Sequence, residues 1–143
     1  MLKKLSFAAA ILVTLSISTT AQGPKRVAVG DWPEMRGPGR DGVSLETGLI
    51  DTWALNGENF LWRAPYGGRS APIVMGDRLY VRNPAGRGEN LQERGMALVA
   101  NTGGMIWEHR FSLFQSDVPS HRVGWASPAA DPETGNVYAL GGG

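Results

Sequence analysis

The chain has 143 residues, among them 20 Gly, 9 Pro and no Cys. Its 14 Lys and Arg residues nearly balance 13 Asp and Glu residues, and the arginines are scattered singly, which argues against nucleic-acid binding. The lack of Cys excludes disulfides and thiol chemistry. Many turn-forming residues without a long amphipathic helical pattern predict an all-β protein built from short strands.

The start of the chain has the organisation of a secretory signal peptide. A basic beginning with two lysines is followed by a mostly apolar stretch at 5–17 and by small residues at 19–21. We therefore expect residues 1–21 to be cleaved and the mature chain to begin near Gln22, in the periplasm or outside the cell, with no transmembrane span. An uncleaved membrane anchor is the alternative, although the apolar part is short for a bilayer span of ~20 residues.

Residues 22–58 are predicted to form a linker and a loop rich in Gly and Pro. From Gly37 to Gly42 the glycines match the spacing G-x-G-x-x-G of dinucleotide-binding loops. No strand precedes this motif, Pro38 interrupts it, and no helix follows to present its N-terminus to a pyrophosphate. We therefore reject nucleotide binding and expect a folded connector that is anchored by burial of Trp32.

Residues 59–143 contain short apolar runs separated by turn residues, as expected for a β domain. The runs that include Ile73 and Met96 are apolar without alternation, which is typical of strands covered on both faces. A buried helix is the alternative, but the runs are short and bounded by glycines. The predicted strands lie at 60–64, 71–75, 78–82, 96–100, 105–111, 127–130 and 135–140, with long loops at 83–95 and 112–124.

The stretch 97–107 is the strongest local signal in the sequence. Two apolar runs flank a turn that begins with Asn101 and ends with two glycines, which can adopt the positive φ of a tight turn. This pattern predicts a β-hairpin.

The residues of this hairpin also carry a resemblance to a known family. Ala97, Thr102, Gly103 and Trp107 stand at the spacing A-x-D-x-x-T-G-x-x-x-W. This spacing resembles the tryptophan-docking repeat of β-propellers with pyrroloquinoline-quinone-type repeats. Val99 occupies the position where that family usually has Asp, so we expect the hydrogen bond that braces the turn to be missing or replaced.

Neighbouring segments repeat as well. Trp62 lies 45 residues before Trp107, close to the length of one propeller repeat of ~40–50 residues. The resemblance therefore implies a β-propeller of four-stranded antiparallel blades, of which residues 59–143 hold about one and a half: a closing strand, a first blade and the start of a second. Since closed propellers use ~4–8 blades, the chain is expected to be an N-terminal fragment.

The second long loop and the tryptophan that follows it supply the candidate ligand-contacting residues, His121, Arg122 and Trp125. Long loops often carry function, and in a propeller the loops between blades line one face or the central channel. The alternative is a structural role, in which His121 and Arg122 form hydrogen bonds around the loop and Trp125 packs beneath it.

Other catalytic patterns in the sequence are weak. Asp117, Ser120 and His121 have the residue types of a hydrolase triad, but triads usually combine distant segments and no nucleophile elbow is present. Glu108 and His109 are adjacent, so on a strand they point to opposite faces and do not predict a metal site.

These observations predict an exported, non-catalytic propeller that acts as a binding or scaffold module. We expect a protein or a small ligand on the propeller face, and no catalytic residue, metal site or cofactor within the sequence. The alternative is a fragment of a quinoprotein alcohol or sugar dehydrogenase. Resemblance to that class implies pyrroloquinoline quinone and calcium, held by residues beyond Gly143.

Overall fold

The computed structural model of the chain describes residues 30–57, 59–113 and 120–141. The predicted signal peptide lies outside these residues. The described chain contains six strands and two 3₁₀ helices, Gly88–Asn90 and Ser120–Arg122. None of its helices has the length and hydrophobicity needed to cross a lipid bilayer.

The strands form two antiparallel sheets. The first has four strands in sequential order, and the second has two. Their bounds are β1 (Ile73–Met75), β2 (Arg78–Ala85), β3 (Gln92–Val99) and β4 (Met105–Ser112) in the first sheet, and β5 (Ala129–Ala130) and β6 (Val137–Tyr138) in the second. The predicted all-β fold is confirmed, and each of these strands overlaps a predicted one.

The predicted loop at 83–95 is wrong over most of its length. β2 continues to Ala85 and β3 begins at Gln92, with Asn83 opposite Arg94 in the ladder. Polar residues favoured the loop prediction, but here they bond to one another across the two strands. β1 pairs only with Arg78–Tyr80 at the start of β2. Further along, the edge of β2 that faces away from β3 is unpaired, so Pro84 is tolerated there although it has no N–H.

The predicted strand at 60–64 is also absent, because these residues belong to neither sheet. Instead, the segment that follows runs along the first sheet. At one end the Trp62 Nε1–H donates to the carbonyl oxygen of Ala100, over 2.7 Å. At the other end the Ser70 hydroxyl donates to the carbonyl oxygen of Arg82, over 2.6 Å. Specific side-chain bonds thus hold this segment in place of a β ladder.

The core lies between the two sheets. Ile73, Tyr80 and Ala97 are buried at its centre, and Ala130 and Val137 of the second sheet pack against them. The consecutive residues Met96–Leu98 are all at most 1% exposed. Since successive side chains of a strand point to opposite faces, both faces of β3 are covered, as the unbroken apolar run predicts.

The Gly/Pro-rich loop joins the two sheets at the edge formed by β1. Trp32 exchanges two backbone hydrogen bonds with Val74 at 2.8 and 2.9 Å, and the carbonyl oxygen of Pro33 accepts one from the amide of Ala130. The half-buried Trp32 ring lies directly on Gly37, where a Cβ would come within 2.7 Å of a ring carbon. The loop is therefore anchored at Trp32, but chiefly by backbone hydrogen bonds, since its side chain is half-buried rather than buried as predicted.

Candidate ligand-binding surface

The β3–β4 turn is held by hydrogen bonds within the turn and by a tryptophan from outside it. The Val99 amide donates to the carbonyl oxygen of Gly104, and the Thr102 hydroxyl accepts from the Gly104 amide. Of the two glycines, only Gly103 has a positive φ, at 69°. The predicted hairpin is confirmed, and Thr102 supplies a side-chain hydrogen bond in a turn where residue 99 is Val.

Trp62 packs on this turn. Its ring lies so close to Gly103 that a Cβ there would be 2.6 Å from a ring carbon. Gly103 is therefore required both by its φ and by the ring above it. The structure thus brings together Trp62 and the Thr-Gly pair of the predicted repeat.

Trp107 lies elsewhere on the sheet, opposite Ala97 in the ladder. Its ring is tilted against the ring of Tyr80, with centroids 6.2 Å apart. The side chain is nevertheless 41% exposed. The burial of Trp107 between two blades, which the resemblance implies, is not seen in the described part of the chain.

The predicted ligand-contacting residues lie together at the surface. His121 and Arg122 are exposed in the second 3₁₀ helix, and Trp125 is 48% exposed. The indole N–H of Trp125 donates to the carbonyl oxygen of His121 at 2.7 Å. The guanidinium of Arg69 lies over the same ring, 5.4 Å from its centroid. Asp117 lies outside the described residues.

The alternative prediction for this segment is a structural role in which Trp125 packs beneath the loop, but Trp125 is not the residue that lies in the interior. Val123 is 3% exposed and Gly124 is also buried, whereas Trp125 points into solvent. Val123, rather than Trp125, is therefore the buried side chain of this segment.

A buried ion pair beneath this segment escaped the sequence analysis. The guanidinium of Arg82 pairs with the carboxylate of Glu93, and the two side chains are only 1% and 10% exposed. Arg82 faces Gly95 in the ladder and Glu93 faces Pro84. Because neither of these opposite residues has a long side chain, the two charged groups can meet diagonally across the strands. Such an arrangement is not visible from charge spacing along the sequence.

This ion pair holds the backbone on both sides of Trp125. Glu93 Oε1 accepts a hydrogen bond from the amide of Gly124 at 2.9 Å. The guanidinium of Arg82 donates to the carbonyl oxygen of Ala126 at 3.2 Å, and also to that of Leu140. Residues 124 and 126 are therefore fixed by buried charges while the side chain between them is exposed.

A second polar cluster surrounds the buried amide of Asn83. Arg94 donates to the Asn83 amide oxygen at 3.0 Å and to the carboxylate of Glu108 at 3.1 Å. The Glu108 carboxylate also accepts from Arg110 at 2.7 Å, and these two arginines, Arg110 foremost, lower its pKa. The guanidinium of Arg94 lies 4.8 Å from the centre of the Tyr66 ring.

Tyr66 also lines an open groove on the segment that runs along the first sheet. The groove has a volume of about 550 Å³ and is formed by the residues from Arg63 to Gly67. The chain then passes against Arg82 at Gly68 and reaches Trp125 through Arg69. This segment therefore connects the groove to Trp125 through consecutive residues, from Arg63 to Arg69.

Comparison of the chain with protein-family models, with curated proteins and with solved structures gives no significant match. The residues that the structure describes include no group of three or more His, Asp or Glu side chains placed to hold a metal ion.

Proposed function

We propose that this chain belongs to an exported β-propeller with pyrroloquinoline-quinone-type repeats, and that it serves as a non-catalytic binding or scaffold module. A four-stranded antiparallel sheet followed by a second sheet supports the blade assignment. The packing of Trp62 on the turn at Gly103 supports the repeat assignment. The binding surface of this module consists of His121, Arg122 and Trp125.

The proposed binding role depends on two features of Trp125: its side chain is exposed, and the backbone on either side of it is held in place. Burial of apolar surface stabilises a fold, so a half-exposed Trp contributes less to folding stability than a buried one would. Folding stability therefore does not explain why this Trp is exposed. Here the chain on either side of it is held by buried charged groups. A rigid, exposed Trp beside Arg is typical of the residues that contribute most to protein interfaces, because little side-chain entropy is lost on binding.

The quinoprotein alternative has no supporting side-chain group in the described residues. In particular, these residues contain no cluster of metal-ligating side chains that would hold calcium.

Site-specific photocrosslinking in the native host tests the binding role. A photoreactive amino acid is placed at Arg122, and the matched control carries it at Trp53, which is 68% exposed on another part of the chain. We expect a discrete crosslinked product from position 122 that Trp125→Ala abolishes. Equal products from both positions, or none from position 122, would contradict a binding surface there.

A second experiment tests the non-catalytic assignment. The full chain is purified from the native host, supplied with pyrroloquinoline quinone and Ca²⁺, and assayed for dye reduction with a panel of alcohols and sugars. We expect no turnover above the rate without protein. Turnover that depends on the quinone would overturn the assignment.

A further inference from the structure

β4 forms one edge of the first sheet. Among the described strands it pairs only with β3, so its other side carries backbone groups that no described strand pairs with. Six of its eight residues are exposed, and it contains neither Lys nor Pro, which natural proteins place on edge strands to prevent pairing with another chain. The register with β3 shifts only near the turn, between Ala97 and Leu98. Residues 107–112 therefore form a regular, exposed edge.

Hydrogen bonds in the neighbouring strands show how the backbone of β4 is turned. The amide and the carbonyl oxygen of Arg82 both bond to the Ser70 hydroxyl, on the side of β2 that faces away from β3. Arg82 therefore exchanges no backbone bonds with Gly95, which lies opposite it, and the backbone groups of Gly95 turn towards β4. Gly95 and His109 are thus a bonded pair, and the backbone of His109 faces inward.

The two neighbours of His109 face the other way. Because successive residues of a strand alternate in direction, Glu108 and Arg110 present their amides and carbonyl oxygens to the free edge. Their side chains lie on one face of the sheet and form an ion pair over 2.7 Å. A strand that pairs with this edge must place its own outward-facing residues opposite these two.

A second copy of β4, running antiparallel, can meet this requirement in three registers near the middle of the strand. They are centred on Glu108, on His109 and on Arg110. The first places two glutamates opposite each other and the third places two arginines, and like charges directly opposite destabilise a strand pair. The register centred on His109 instead places Glu108 of each copy opposite Arg110 of the other.

We propose that β4 pairs with β4 of a second copy of this chain in the register centred on His109. Glu108 and Arg110 then supply both the backbone hydrogen bonds and an ion pair in each half of the contact. On the other face, Trp107 lies opposite Phe111 of the second copy, in a non-bonded pair, where opposite side chains are closest. Trp107 is 41% exposed, so it has apolar surface to bury there.

An extended segment of another protein could form the same backbone bonds. The second copy is the better match because Glu108 and Arg110 stand two residues apart on one face, an order of charges that is complementary to itself when the strands run antiparallel. The contact lies on β4 and goes beyond the binding role proposed for Trp125, so either proposal can fail without the other.

Disulfide crosslinking tests the register on the full chain, which contains no Cys of its own. His109→Cys places the two thiols at the centre of the contact, with Cα atoms ~4.5 Å apart, within the range of ~4.4–6.8 Å that a disulfide spans. The matched control is Ser112→Cys, also exposed on β4, whose two copies would lie ~20 Å apart along the strands. Under mild oxidation by oxidised glutathione we expect a covalent dimer from His109→Cys and only a trace from Ser112→Cys.

Sedimentation equilibrium at pH 8, where imidazoles are neutral, tests the charge pairing without a covalent bond. Arg110→Glu places Glu opposite Glu in both halves of the contact. The matched control, Arg78→Glu, makes the same change at an exposed residue of β2 that also pairs with a neighbouring acidic residue. We expect Arg110→Glu to weaken dimerisation about 25-fold, roughly fivefold for each pair that changes from attraction to repulsion. The control should change it by less than about twofold, and far-UV circular dichroism checks the folding of both variants.

The proposal is overturned if the unmodified chain stays monomeric at its highest soluble concentration. It is also overturned if His109→Cys crosslinks no more than Ser112→Cys, or if Arg110→Glu and Arg78→Glu weaken dimerisation equally. A product of His109→Cys with a different protein alone, in extracts of the native host, would show that the edge takes another occupant and would overturn it as well. Should Arg110→Glu fail to fold, the two Cys variants decide the outcome.

Discussion

Replacement of Glu93 by Gln should destabilise the protein far more than replacement of an exposed carboxylate. Gln keeps the shape of Glu and an oxygen that can still accept the bond from the Gly124 amide. What it removes is the negative charge next to Arg82. The guanidinium would then keep the carbonyl oxygens of Ala126 and Leu140 and the ring of Phe111, whose centroid is 5.7 Å from Cζ, but no negative charge among its described partners.

The size of the effect follows from burial. Removal of one partner from a buried ion pair costs about 3–5 kcal/mol, because the other charge stays buried without compensation. The Arg82 side chain is only 1% exposed, and its Nε already has no hydrogen-bond partner within the described residues. We therefore expect Glu93→Gln to lower the free energy of unfolding by about 3 kcal/mol. Glu108→Gln, at a partly exposed pair, should cost much less than Glu93→Gln, because solvent screens its charge.

A double-mutant cycle measures this coupling. Urea denaturation is followed by far-UV circular dichroism for Glu93→Gln, for Arg82→Met and for the two combined, with Glu108→Gln as the control. Because the second substitution removes the charge that the first leaves uncompensated, the double variant should be more stable than the sum of the single effects predicts, by about 2 kcal/mol or more. The Trp125 indole N–H resonance should also shift in Glu93→Gln.

A loss below about 1 kcal/mol for Glu93→Gln, together with additive single effects, would refute the argument, since exposed ion pairs behave in this way. It would mean that water reaches Arg82 and that the pair does not hold the backbone around Trp125.

Three further predictions concern other parts of the sheet. Trp62→Phe should cost about 1 kcal/mol in urea denaturation through loss of the indole bond to Ala100, and an unchanged stability would mean that the bond is not formed in solution. Trp107→Ala should cost about 1–2 kcal/mol, less than the ~3–5 kcal/mol of a fully buried Trp, because the ring is 41% exposed; a larger loss would show that the ring is enclosed. Arg110 and Arg94 lower the pKa of Glu108. Their ion pairs with Glu108 therefore stabilise the fold at pH values above 4.5, the ordinary pKa of Glu, and this stabilisation is lost as the pH falls through the lowered pKa. In Glu108→Gln the decline of stability below pH 4.5 should therefore be shallower, and an identical decline would contradict the assignment.

Local sequence patterns determined the strands and the hairpin. Asn101 and the two following glycine positions specify a tight turn, and the apolar run at Met96–Leu98 specifies a strand that is covered on both sides. Both features depend on residues that are close in sequence, so their period and turn chemistry suffice to predict them. The 45-residue spacing between Trp62 and Trp107 predicts a repeat, and it does not predict the contact of the Trp62 ring with Gly103 that the structure shows.

Tertiary structure alone decided what the polar residues do. The sequence predicts Arg82 at the end of a strand and Glu93 in the loop that follows. In the fold both residues belong to paired strands, where they lie diagonally opposite and neutralise each other in the interior. The same pairing sets the exposure of Trp125, since it fixes the backbone on either side of that residue and leaves Val123 to fill the interior. Hydropathy favours the burial of Trp125. The observed position of Trp125 depends instead on contacts between residues more than 30 apart in the chain, such as Glu93 with Gly124. Such contacts leave no local pattern in the sequence.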